Sequence, residues 1–113
     1  MTTKQTDWTR IATLYELLAT LNPFPVVELN RAVAVAMADG PERGLVLIDR
    51  PEVAGKLEGY RWLHTTRAGL LFRMHRYGDA AAAFRRALEF PSNSSDRDFI
   101  IRRLEEVEAA TGE

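Results

Sequence analysis

The sequence predicts an all-α fold, an array of about six helices in antiparallel hairpins resembling stacked repeats. Three observations carry this. Apolar residues recur at helical spacing, as in Trp8, Ile11, Leu14, Tyr15, Leu18 and Leu21. Pro and Gly fall between such segments, so each boundary is a stop followed by a start. No segment reads as a strand. The run Ala-Val-Ala-Val-Ala-Met-Ala at 32–38 alternates, but it is alanine-rich and flanked by helices, which predicts helix.

The first helix covers 7–21, with Thr6 or Asp7 as its cap and Asn22-Pro23 as its end. Pro25 suits the first turn of a second helix reaching 38, although Phe24 stands where a small capping residue would serve better. Asp39-Gly40-Pro41-Glu42 separates it from a short helix over 41–49. Pro51, Gly55 and Gly59 make 51–59 a connector. A helix over 60–76 sets Leu63, Leu70, Leu71 and Met74 on one side. Tyr77-Gly78-Asp79 then turns the chain into a helix over 80–90 that points Phe84, Ala87 and Leu88 inward. Pro91-Ser92-Asn93-Ser94 breaks it. Ser95, with Asp98 three residues on, resembles a capping box for a last helix carrying Phe99, Ile100, Leu104 and Val107 and fraying after Ala110.

A chain of 113 residues with 46% hydrophobic and 27% charged residues suits a single globular domain spanning 1–113. Fifteen basic against sixteen acidic side chains give a net charge of -1, which argues against a chain devoted to a nucleic-acid backbone. The absence of cysteine removes disulfides, thiolate nucleophiles and Cys-ligated zinc. The longest apolar run, 32–38, falls far short of the ~20 residues a membrane span needs. The N-terminal lysine has no apolar stretch behind it, so no signal peptide is expected. The expected location is cytoplasmic, with no membrane association.

An internal repeat organises the chain. Arg31-Ala32 aligns with Arg67-Ala68 at an offset of 36, and the same offset pairs Val35 with Leu71, Gly44 with Ala80, and Ile48 with Phe84. Two units follow, 25–50 and 60–90, flanked by the helix 7–21 and capped by a helix over 95–110. The second unit resembles a tetratricopeptide repeat: Tyr77 opens its second helix, Ala80, Phe84, Ala87 and Leu88 follow, and Ala68 is the small residue at the helix crossing. Sterically, an alanine lets two helices approach closely and an aromatic fills the gap between units.

A second resemblance is carried by Asp7-Trp8, Ile11-Ala12-Thr13-Leu14-Tyr15, the run Pro-Val-Val-Glu-Leu-Asn-Arg-Ala-Val-Ala-Val-Ala at 25–36, and Asp39-Gly40-Pro41. Leu63-His64, Arg67-Ala68, Leu70-Leu71 and the segment 80–88 continue it. Together these resemble the C-terminal tetratricopeptide-like extension of a group of bacterial extracytoplasmic-function RNA polymerase sigma factors. The chain has no room for the promoter-reading domains of that group, so promoter recognition does not carry over. The resemblance implies a regulatory interaction module whose partners are the sigma-factor domains, RNA polymerase or a dedicated regulator.

No catalytic, cofactor or metal site is expected. His64 and His75 sit about 16 Å apart along a helix, too far to share an ion. Ser92, Ser94 and Ser95 are explained by capping, and Glu105, Glu106 and Glu108 by a solvated helix face. Arg31 and Arg67 each precede a crossing alanine; they either pair with a carboxylate that fixes the hairpin or bind a partner's carboxylate from a groove. The segment 60–78 carries Arg61, Arg67, Arg73 and Arg76 and no acid, which leaves a nucleic-acid-binding helical domain as an alternative, although the charge balance disfavours direct DNA binding. The first helices of the two units are expected to line a partner groove with Val26, Leu29, Val33 and Met37 from one and Trp62, Thr65, Phe72 and Arg73 from the other, suited to an amphipathic or extended segment. A generic peptide-binding scaffold is the other alternative.

Overall fold

The computed structural model describes residues 7–21, 24–91 and 93–111, and every regular element in them is helical. Six helices of eight residues or more are α1 (Trp8–Leu21), α2 (Pro25–Asp39), α3 (Pro41–Ile48), α5 (Arg61–Arg73), α6 (Tyr77–Ala87) and α7 (Ser94–Ala110). A single turn, α4 (Pro51–Ala54), interrupts the expected connector. Among the described residues no helix is long and apolar enough to cross a membrane.

The helix boundaries have local causes. The Asp7 carboxylate accepts from the Arg10 N–H at 3.0 Å and so caps α1, whereas Thr6 and Asn22-Pro23 lie outside the described residues. Pro25, Pro41 and Pro51 open α2, α3 and α4, each at a position whose missing N–H has no intrahelical partner to lose. Phe24 contributes no side-chain cap. Gly40, at φ 108°, turns the chain between α2 and α3 in a conformation glycine adopts freely.

The breaks on both sides of α6 differ from the expected ones, and α6 itself, expected to reach 90, ends at Ala87. The helix expected over 60–76 stops at Arg73, because His75 takes φ 61° and closes a Schellman turn: the His75 N–H donates to Phe72 O and the Arg76 N–H to Leu71 O. The chain therefore enters α6 at Tyr77, three residues before the expected start at 80. At the other break, Asn93 caps α7 by accepting the Asp96 N–H at 2.8 Å, which displaces the expected Ser95–Asp98 box by two residues.

Helices neighbouring in sequence pack on one another: α1 on α2, α2 on α3, α3 on α5, α5 on α6 and α6 on α7. The thickness of 25 Å corresponds to two helix layers. The hairpin α2–α3 closes on Ala32, Ala36 and Gly44; the hairpin α5–α6 closes on Ala68 and Ala80, each fully buried. A Cβ on Gly44 would stand 2.6 Å from the Ala36 Cβ and 2.7 Å from the Ala32 carbonyl oxygen, so only glycine permits this approach.

Burial repeats at the offset read from the sequence. Ile48 and Phe84 stand thirty-six positions apart, and so do Leu71 and Val107; with Ile100 they are the largest fully buried side chains. Burying each contributes about 1.5–3 kcal/mol. The 51–59 segment also feeds this core, through Val53 and Leu57, which the sequence reading left in a bare connector.

The pairing of Leu71 with Val107 extends the repeat into α7. Arg31, Arg67 and Arg103 fall at one register, thirty-six apart. Thus α7, expected as a cap, also occupies the place of a third first helix.

Candidate functional site

The face shared by the first helices of the units is the candidate site. Its helices show every third or fourth residue to solvent: Val26, Asn30, Val33 and Met37 on α2, and Trp62, Thr66, Gly69 and Arg73 on α5. Each residue of the second set lies thirty-six positions after its counterpart. The two ladders touch: Arg73 Nη1 donates to Met37 Sδ at 3.5 Å, joining equivalent positions of consecutive units. Asp98, Arg102, Glu105 and Ala109 hold the same register on α7 and are all exposed.

Of the residues expected to line a groove, Val26, Met37 and Arg73 are exposed, and Val33 and Trp62 are half-buried on this face. Leu29 and Thr65 are buried at 4% and 8% exposure, and cannot meet a partner. Thr65 instead donates to the Arg61 carbonyl one turn back. Phe72 packs against the core and against Tyr77, centroids 5.5 Å apart, beneath the Arg103 guanidinium at 5.4 Å. The solvent-facing ladder runs through the exposed Asn30 and the half-buried Thr66 and Gly69 in their stead. Gly69 leaves open space where a Cβ would stand, a notch midway along α5 beside the Trp62 ladder. The face is therefore apolar at Val26, Trp62 and Val33, polar at Asn30 and Thr66, and basic at Arg73.

The arginines preceding the crossing alanines both find carboxylates. Arg67 donates from Nε to Asp49 Oδ1 at 3.0 Å, tying α5 to the end of α3. Arg31 lies 3.4 Å from Glu28 and 3.7 Å from Glu16, tying α2 to α1. Each also lines a cleft. Arg31 floors a space of about 440 Å³ between α1 and α3, walled by Glu16, Arg43 and Arg50. Arg67 borders one of about 290 Å³ with His64, Arg76 and Arg86.

The basic stretch of the sequence is largely neutralised. Arg61 pairs with Asp96 at 2.8 Å and Arg76 with Asp79 at 2.7 Å. Arg85 pairs with Glu108 at 2.8 Å and Arg86 with Glu58 at 2.9 Å. The Arg86 guanidinium hydrogen-bonded to Glu58 holds that exposed carboxyl below the usual carboxylate range, and the same bond raises the Arg86 pKa. Arg73 makes no ion pair among the described residues; its guanidinium donates to Met37 Sδ.

Neither histidine faces a chemical site. His64 is buried, stacks on Phe90 at 5.3 Å, and donates from Nε2 to the Glu58 carbonyl at 2.7 Å, which fixes that nitrogen as the protonated one. His75 meets the Tyr77 hydroxyl at 2.6 Å in the turn before α6. Among the described residues no three His, Asp or Glu side chains converge as a metal ion would need.

Sequence reasoning missed two features of this face. One is its polar middle, since the apolar residues Leu29 and Phe72 attract attention away from Asn30 and Gly69. The other is the third rung on α7, which the Arg31–Arg67–Arg103 spacing signals. A protein of Rhizobium meliloti (strain 1021), described as an uncharacterized protein, is similar to this chain, with 41% identity over 106 residues that cover 94% of the chain and 25% of that protein. The chain thus spans about a quarter of the length of the relative it matches. No family model matches it, and no solved structure does.

Proposed function

We propose that the chain is a non-enzymatic protein-interaction module of tetratricopeptide-like hairpins, similar to the C-terminal extension of an extracytoplasmic-function sigma factor and supporting transcription initiation through protein contacts. The observation that carries the reading as a binding module is the repeated exposure of one face. Equivalent positions of α2 and α5 meet at Met37 and Arg73, and the residues of both ladders are exposed or half-buried, none of them fully buried. Two helices that present matched ladders form a shallow channel for an extended segment. Trp62 and Val26 offer apolar contact, the space above Gly69 admits one side chain, and Arg73 is free of carboxylates among the described residues to meet an acidic one.

The link to transcription rests on the residues of the resemblance, above all the 25–36 run with Asp39-Gly40-Pro41 behind it. A module within a longer polypeptide also agrees with the length of the Rhizobium relative. The partners proposed are sigma-factor domains, RNA polymerase or a regulator. The pairing of Arg61, Arg76, Arg85 and Arg86 with carboxylates weighs against the nucleic-acid reading.

The test measures binding of the fluorescently labelled chain to bacterial core RNA polymerase and, separately, to a promoter duplex. Binding to the polymerase is expected, weakened about tenfold or more when Trp62→Ala and Arg73→Glu are combined. Salt-sensitive binding to the duplex with none to the polymerase would instead establish the nucleic-acid alternative.

A further inference from the structure

The array ends differently on its two sides. The side of α7 away from α6 is charged: Arg102, Glu105 and Glu106 are exposed, with Phe99 as the one large apolar residue of α7 in solvent at 43%. The opposite end is bare. Helix α1 buries Ala19, half-buries Ile11 and Tyr15 and packs on α2, while Leu14, Leu17, Leu18 and Leu21 stand 56%, 60%, 38% and 73% exposed. These four hold the spacing i, i+3, i+4, i+7, a single stripe about 10 Å long. Phe24 at 64% and Val26 at 42% carry apolar surface on past the hairpin. The two charges of α1 are Arg10, near its start, and Glu16, which lies toward Arg31.

Stacked-hairpin arrays keep the outer faces of their terminal helices polar, because each internal helix is apolar on two sides and needs a neighbour on both. By that criterion α7 is a terminal helix and α1 is an internal one. Its second face repeats the spacing with which helices bury one another elsewhere in the array. In the Rhizobium relative the aligned stretch is 25% of the protein, so three quarters of that polypeptide lies outside it.

We propose that the chain, like its Rhizobium relative, belongs to a longer polypeptide and that the leucine stripe of α1 is the seat of one amphipathic α-helix from the rest of it, which extends the hairpin array beyond α1. The occupant's chemistry follows from the stripe: apolar residues at i, i+3, i+4 and i+7, meeting no charge along Leu14 to Leu21. This inference uses the repeat geometry and not the ladders of α2 and α5, so it and the proposed function can fail separately.

The test uses the full-length Rhizobium protein with the photoreactive residue p-benzoylphenylalanine at the position aligned with Leu17. Irradiation followed by mass spectrometry is expected to find a crosslink within one chain, to a helical segment outside the aligned quarter. A crosslink only between two copies, or none, overturns the proposal. A second arm places Glu at the positions aligned with Leu14 and Leu18 and the photoreactive residue at that aligned with Leu21. The intramolecular yield is expected to fall about tenfold or more, whereas an unchanged yield overturns the proposal. In the 113-residue chain Leu14→Glu with Leu18→Glu is expected to keep the helical circular dichroism, which separates loss of docking from loss of folding.

Discussion

Two glycines show how the same residue type serves opposite ends. Gly44 lets α2 and α3 touch, with backbone and methyl groups less than 3 Å from where its Cβ would stand. Neither obstacle is the tip of a flexible side chain, so relief requires the hairpin to open. Gly44→Ala is expected to cost about 1–3 kcal/mol by overpacking. Gly69 lies inside α5 with open space on its exposed side, and there the loss of backbone freedom is its only evident cost. Gly69→Ala is expected to stabilise by about 0.5–1 kcal/mol. Urea titration of both variants checks the pair; a stabilising Gly44→Ala would contradict the close crossing. The first of these roles is legible in the sequence, since Gly44 aligns with Ala80 in the thirty-six-residue repeat. The second is not, because which side of a helix faces water depends on neighbours the sequence does not locate. The same ambiguity explains the misplacement of Leu29 and Thr65, each one position away from the exposed Asn30 and the half-buried Thr66.

The helices are held in register by a few polar ties whose partners lie far apart in sequence. Arg61 is the clearest. Its guanidinium donates to the Pro91 carbonyl and to Asp96, both at 2.8 Å, so the start of α5 fixes the loop and the start of α7. The side chain is largely buried and its Nε finds no partner among the described residues, so the group is costly to desolvate and useful only while both bonds hold. Arg61→Ala is expected to destabilise by about 1–3 kcal/mol and to speed amide exchange first in the N-terminal turn of α7, while the exposed pair Arg85–Glu108 should contribute less than about 1 kcal/mol. Hydrogen-exchange mass spectrometry distinguishes the two. The helices themselves were readable from periodicity and from prolines, but these ties were not: an arginine-rich, acid-free stretch reads as a basic face until folding brings Asp96 against Arg61 and Asp49 against Arg67.

Among the described residues the helices pack mainly on their successors, α1 on α2, α2 on α3, α3 on α5, α5 on α6 and α6 on α7, an order that would distribute stability along a line if the proposed stacking of hairpins also governs the energetics. Ile100 is fully buried where α7 meets the preceding unit, and Ile48 is fully buried in the first unit. In a domain with one central core, truncating either would loosen the whole. Under the proposed stacking of hairpins the consequence is local, since stacked units share only their interfaces. Ile100→Ala is expected to cost about 2–5 kcal/mol, and the protection it removes should come from α7 and α6, with α1 to α3 retaining most of theirs. Ile48→Ala should invert that pattern, loosening α2 and α3 before α7. Uniform loss of protection in both variants would mean that the two units fold as one cooperative block. The thirty-six-residue periodicity would then describe the packing alone. Polarised loss would show that it also governs the energetics.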